Sequence, residues 1–362
     1  MPKLRISVVQ YLNTSPLVWG FTHGLLEGKY DLSFTVPSQC AESLRAGEVD
    51  IAIIPAIEYQ RIDDLVILPD LAIASKRRVR SLLLISKVPL PVPAAAPGSA
   101  PGAALASGAT PGSVSSAALA SSDSAQNPPR SIALDRSSRS TQALTKILCA
   151  RHWQIAPQFQ EMAPDLGEML AANDAALLIG DPALRISLAI ETAQRLGSAG
   201  FTLSESKGIP AGGFDDRANA APEICDAATL GLPGADKLYV YDIVEQWRCM
   251  SNLSAVLAVW AARPSVATPD VVADFHASRA FGLLHLHELC DAASAQLRLP
   301  APALHSYLAD NIDFTLDPEN ISGLSEYFAA ASSLNLIPQA KPVLLAPGPN
   351  RLELESAVAK PR

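Results

Sequence analysis

The stretch Leu4-Arg5-Ile6-Ser7-Val8-Val9-Gln10-Tyr11-Leu12-Asn13-Thr14-Ser15-Pro16-Leu17-Val18 carries two periodicities in succession. Leu4, Ile6 and Val8 alternate with Arg5, Ser7 and Val9, the period-two pattern of a mostly buried strand. A polar turn follows, and Ser15 before Pro16 reads as an N-cap with proline at the first helical position. Leu17, Val18, Phe21 and Leu25 then share one helical face, with Gly28 as the stop. Leu32, Phe34 and Val36 alternate as a second strand, and Pro37-Ser38 opens a helix that runs through Leu44 and closes at Gly47. Val49 to Ile54 is almost wholly apolar, as expected of a strand in a sheet covered on both faces. The opening of the chain therefore spells a βαβαβ unit.

The same order returns further on. Ser131 to Leu134 reads as a strand, Leu144, Ile147 and Leu148 mark a helix, Phe159 precedes a helix around Leu166 to Leu170, and Ala175 to Ile179 is a strand ending at Gly180-Asp181-Pro182. Strands alternating with helices imply an α/β protein with a parallel sheet in each of two lobes. The region after Pro264 is helical, with Phe275, Leu283, Leu284 and Leu289 as its apolar positions, and is expected to pack back on the first lobe. The expected division is 1–87 with 264–345 as lobe one, 130–260 as lobe two, and 346–362 as a C-terminal tail. Residues 89–129 are dominated by Ala, Pro, Gly and Ser, with Asp123 the only charge, and read as a disordered insertion. Residues 197–236 read as a long loop insertion with some local structure.

The 362 residues exceed one typical core, and 49% are hydrophobic, which suffices for two. A net charge of −8 with scattered basic residues lacks the footprint of a nucleic-acid binder. The five cysteines (Cys40, Cys149, Cys225, Cys249, Cys290) are widely spaced without a C-x-x-C pair, which argues against a disulfide framework or zinc site. Gln10, Asn13 and Thr14 interrupt the apolar run a signal peptide needs, and Ala255 to Ala262 is too short to span a bilayer, so a cytoplasmic chain without a membrane partner is expected.

In an open parallel sheet, ligands bind beyond the carboxyl ends of strands, where helix N-termini present free N–H groups. Three polar clusters fall at such junctions: Gln10-Tyr11-Leu12-Asn13-Thr14, Ser137-Ser138-Arg139-Ser140-Thr141, and Gly180-Asp181. Thr14 and Ser137 or Ser138 also suit plain helix caps, whereas Asn13 is left free because Ser15 serves as the cap. Facing each other across two lobes, the first two clusters would hold a carboxylate. His285, His287 and Glu288 do not form a metal set, because positions i and i+2 on a helix do not share a face. Cys149 and His152 lack a third group to orient them, and no P-loop or G-x-G-x-x-G pattern is present.

At these positions the sequence resembles the chorismate dehydratases of the futalosine route to menaquinone, the menaquinone biosynthesis protein A family, whose fold is that of type II periplasmic binding proteins. The resemblance rests on Val9 to Leu17, Gly47 to Asp50, Ile54 to Tyr59, Arg80 to Leu84, Asp135 to Thr141, Leu178 to Leu184 and Val259 to Arg263. It implies a two-lobed fold with a central cleft and removal of water from chorismate, giving 3-[(1-carboxyvinyl)oxy]benzoate, without a redox cofactor or metal. It further implies that Asn13 and Ser81 are catalytic and that Tyr11, Ser138, Arg139, Ser140, Thr141 and Asp181 bind substrate, in a monomer or homodimer. The chain departs from the family at Ser251-Asn252-Leu253-Ser254, where Thr-Gly-Leu-Pro is usual, and in its Ala/Pro/Ser insertion. A transport solute-binding protein, a ligand-sensing regulator and the sister dihydroxynaphthoate synthase are the competing readings. The last usually opens with a Ser-Pro-Cys-Pro-Asn-Asp motif that is absent here.

Overall fold

The computed structural model describes residues 3–91, 127–198, 221–233 and 236–348. The chain runs β1 (Arg5–Val9), a 3-10 turn (Leu12–Thr14), α1 (Ser15–His23), β2 (Asp31–Thr35), α2 (Pro37–Arg45), β3 (Ile51–Pro55), α3 (Ala56–Arg61), β4 (Val66–Ser75) and β5 (Leu82–Ser86). It continues through β6 (Ser131–Asp135), α4 (Arg139–Ile147), β7 (Gln158–Met162), α5 (Leu166–Ala172), β8 (Ala175–Ile179) and α6 (Gly180–Ser198). After β9 (Glu223–Asp226), β10 (Lys237–Asp242), α7 (Ile243–Ser251) and β11 (Ala255–Ala262), the chain is helical. Its helices are α8 (Pro269–Leu284), α9 (Leu286–Leu297), α10 (Ala301–Ser306), a π-turn (Tyr307–Asn311) and α11 (Pro318–Ser333).

Two sheets form the lobes: five strands in the order β2-β1-β3-β11-β4, and six in the order β7-β6-β8-β5-β10-β9. β1 pairs in parallel with both β2 and β3, and β6 does the same with β7 and β8, so each lobe is built on one βαβαβ unit. Neither sheet is all-parallel, however. β11 runs antiparallel to β3 and β4, and β5 runs antiparallel to β8 and β10. All eight residues of β11 are buried, which accounts for its unbroken apolar run.

Strand pairing also moves the expected lobe boundaries. β5 belongs to the second sheet and β11 to the first, so the chain crosses between sheets at 76–81 and 243–254. Part of the expected long loop is ordered as β9, an edge strand on β10. Residues 92–126, 199–220 and 349–362, which hold most of both expected insertions and of the tail, lie outside the described residues.

The first helix differs from its expected form at both ends. The 3-10 turn runs straight into α1, with Ser15 N–H donating to Leu12 C=O, so Ser15 is the first helical residue instead of a cap. The helix stops at His23, before Leu25, which is fully exposed. Leu283 and Leu284, expected in the core, are likewise exposed at the end of α8, whereas Phe275 and Leu289 are buried.

Candidate active site

Both βαβαβ units change winding direction beside their first strand, and the carboxyl ends of β1, β3, β6 and β8 converge there on one cleft. Ligand crevices form at such switch points because diverging loops leave a gap over the strand ends. The cleft is narrow, with about 40 Å³ of free volume, and opens to solvent. Val9, Tyr11 and Asn13 line it from β1, Pro55 from β3, Ser138 and Thr141 from the start of α4, and Ile179 and Gly180 from the end of β8.

Asn13 is 8% exposed, and its Oδ1 has no hydrogen-bond partner. Elsewhere in the core, the Tyr307 hydroxyl donates to Ser81 Oγ at 2.8 Å. Ser81 is fully buried behind the cleft lining, and its carbonyl accepts the Gly180 N–H at 2.8 Å. Tyr307 was not legible as a site residue, since no local motif marks a contact across 226 positions.

Tyr11 reaches the second lobe, with its hydroxyl 3.3 Å from Ser137 Oγ, which donates to Asp135 Oδ1 at 2.6 Å. Burial raises the pKa of both the Tyr11 phenol and the Asp135 carboxyl. Asp181 does not line the cleft. It accepts the Leu12 N–H at 3.1 Å and so fixes the loop that carries Asn13, and burial raises its pKa as well.

The four expected α4 positions separate by face. Ser138 and Thr141, three residues apart, share the cleft face, where their hydroxyls lie 2.9 Å from each other and Ser138 caps the helix through the Thr141 N–H. Arg139 and Ser140, also expected as substrate ligands, are not among the cleft-lining residues and turn toward lobe one. Arg139 pairs with Glu42 at 2.6 Å and with the fully buried Glu58 at 3.0 Å, while Ser140 Oγ accepts the Ile57 N–H at 3.1 Å. Both therefore tie the lobes together beside the cleft. Among the described residues there is no group of three His, Cys, Asp or Glu side chains able to hold a metal, and no helix long and apolar enough to cross a membrane.

Two mixed sheets with a polar cleft at paired switch points define a two-lobed α/β protein of the type II periplasmic-binding-protein fold, and solved structures show the same fold. Protein AF1704 from Archaeoglobus fulgidus matches with a TM-score of 0.58 at 14% identity, covering 92% of this chain and 98% of that one. The ligand-binding component of an ABC-type import system from Staphylococcus aureus matches with a TM-score of 0.50 at 12% identity, covering 96% and 97%. The chain belongs to the menaquinone biosynthesis family, whose model matches residues 4–100, 91–198 and 224–333. It is also similar to the chorismate dehydratase of Thermus thermophilus, with 25% identity over 340 residues, 93% of this chain and 98% of that protein.

Proposed function

We propose that this chain is a hydro-lyase that converts chorismate to 3-[(1-carboxyvinyl)oxy]benzoate in the cytoplasm, on the futalosine route to menaquinone. The observation that carries this reading is Asn13: a buried amide on the wall of the cleft, with Oδ1 left without a partner. A buried polar atom without a partner costs stability, and a ligand that fills the gap recovers it.

In the reaction, the ring hydroxyl leaves with the hydrogen of the adjacent ether-bearing carbon, as water. The ring becomes aromatic, so the elimination is driven by the substrate, and the protein's task is orientation and two proton movements. The amino end of α4, with the Ser138 and Thr141 hydroxyls, receives a substrate carboxylate. Asn13 is neutral and not basic, so it orients the ring hydroxyl instead of removing a proton. Among the described residues no Asp, Glu, His or Lys lines the cleft, and a carboxylate of the substrate itself is assigned as the proton acceptor.

Proton NMR of chorismate incubated with the purified protein tests the reading. Aromatic ring signals growing as the diene signals fade support it; chorismate that binds but persists favours a binding protein.

A further inference from the structure

Within that reading, we propose that Asp242 is a positioning residue for the cleft wall: it holds Arg80 in a left-handed backbone turn and so sets Ser81, Leu82 and Gly180 in place for the substrate. Arg80 has a φ of +65°, a conformation that residues with a side chain rarely adopt and keep only where their surroundings impose it. It stands on the first crossover, where the chain leaves β4 in one sheet and enters β5 in the other.

The contacts that impose the turn are specific. Asp242, buried at the end of β10, accepts the Val79 N–H at 3.0 Å and the Arg80 N–H at 2.6 Å through Oδ2. Its Oδ1 accepts the Val244 and Glu245 N–H groups at 3.0 and 3.2 Å, which fixes the carboxylate at the start of α7, on the second crossover. One carboxylate therefore grips both connections between the sheets. The Arg80 guanidinium is held separately, by Glu191 of α6 at 2.6 Å.

What the turn delivers begins one residue on. The Ser81 carbonyl accepts the Gly180 N–H at 2.8 Å, and Ser81 Oγ accepts the Tyr307 hydroxyl at 2.8 Å. Leu82 and Gly180 both line the cleft. If Arg80 relaxed to a negative φ, the peptide entering Ser81 would swing, and the Gly180 and Tyr307 contacts would break with it.

Asp242→Asn keeps the size of the side chain and the helix cap, but turns an amide N–H₂ toward the Val79 and Arg80 N–H groups. A ligand-free crystal structure of this variant is expected to show Arg80 at negative φ and Ser81 Oγ out of hydrogen-bond reach of Tyr307. Its kcat with chorismate should fall on the order of a hundredfold, as for about 1 Å of misplacement at a reacting centre. KM should change far less, because the carboxylate site on α4 is untouched. Glycine adopts positive φ unaided, so adding Arg80→Gly to Asp242→Asn should restore the Ser81 contact and most of the lost turnover. A merely structural Asp242 would leave the double variant no better than Asp242→Asn. If Asp242→Asn does not fold, Arg80→Val, which opposes the turn, is compared with Arg80→Gly, which accepts it; only the valine should displace Ser81. Arg80 still at positive φ in Asp242→Asn, a double variant without recovery, or identical Ser81 contacts in the valine and glycine variants overturns the proposal. Chorismate left intact by the wild type, with Ser81 displaced in Asp242→Asn, overturns only the dehydratase reading.

Discussion

Gly180 lies against the ring of Tyr11: a Cβ added at position 180 would fall 2.8 Å from the ring carbons. Its φ of +64° adds strain for any side chain. This glycine therefore joins the end of β8 to the Asn13 loop by direct backbone-to-ring packing. Gly180→Ala should cost roughly 1–3 kcal/mol of stability. It should also reduce turnover, because Tyr11 must move. A thermal midpoint within error of wild type would contradict the packing account.

Ser140→Ala isolates the lobe contact from substrate binding. The lost Oγ strands a buried Ile57 N–H, at about 1–3 kcal/mol. A lower unfolding midpoint with nearly unchanged KM is expected. A KM rise without loss of stability would return Ser140 to the substrate.

The βαβαβ units were legible because strand alternation and helix starts repeat in order along the chain. The antiparallel strands were not, since β5 and β11 carry apolar runs that any central strand shows, whatever its direction. At the site, Asn13, Tyr11, Ser138 and Thr141 were legible as junction residues. Arg139 and Ser140 were grouped with them by adjacency, although the turn of a helix sets neighbours on different faces. Tyr307 left no local signal, because Ser81 is brought to it only by the crossover.

At the crossover, Asp242 accepts the N–H groups of Val79 and Arg80 at 3.0 and 2.6 Å and caps α7. Burial, reinforced by the Asp242 carboxylate and opposed by Arg78, pushes nearby Glu245 up to about 7, and Glu223 adds to the rise. The folded state thus holds this proton more tightly than the unfolded chain does. The stabilising contribution is complete below about pH 4.5 and is lost as pH rises through 7. Glu245→Gln should flatten the fall in unfolding midpoint between these values; an unaltered pH slope would remove Glu245 from the account.

Excision of residues 92–126 should leave both fold and turnover nearly unchanged. β5 and β6 run antiparallel on either side of β8, so the end of one and the start of the other share an edge of the sheet about 10 Å apart. The residues left on each side can bridge that gap. A large loss of stability would show that the excised segment packs on the lobes.

Steady-state kinetics of the wild type and Asn13→Ala with chorismate, in chelator and without added cofactor, test the central claim most directly. The wild type is expected to form 3-[(1-carboxyvinyl)oxy]benzoate. Removing the amide should lower kcat on the order of a hundred- to thousandfold, as for loss of one oriented hydrogen bond in a closed site. Equal turnover by Asn13→Ala, or no turnover by the wild type, would contradict the account.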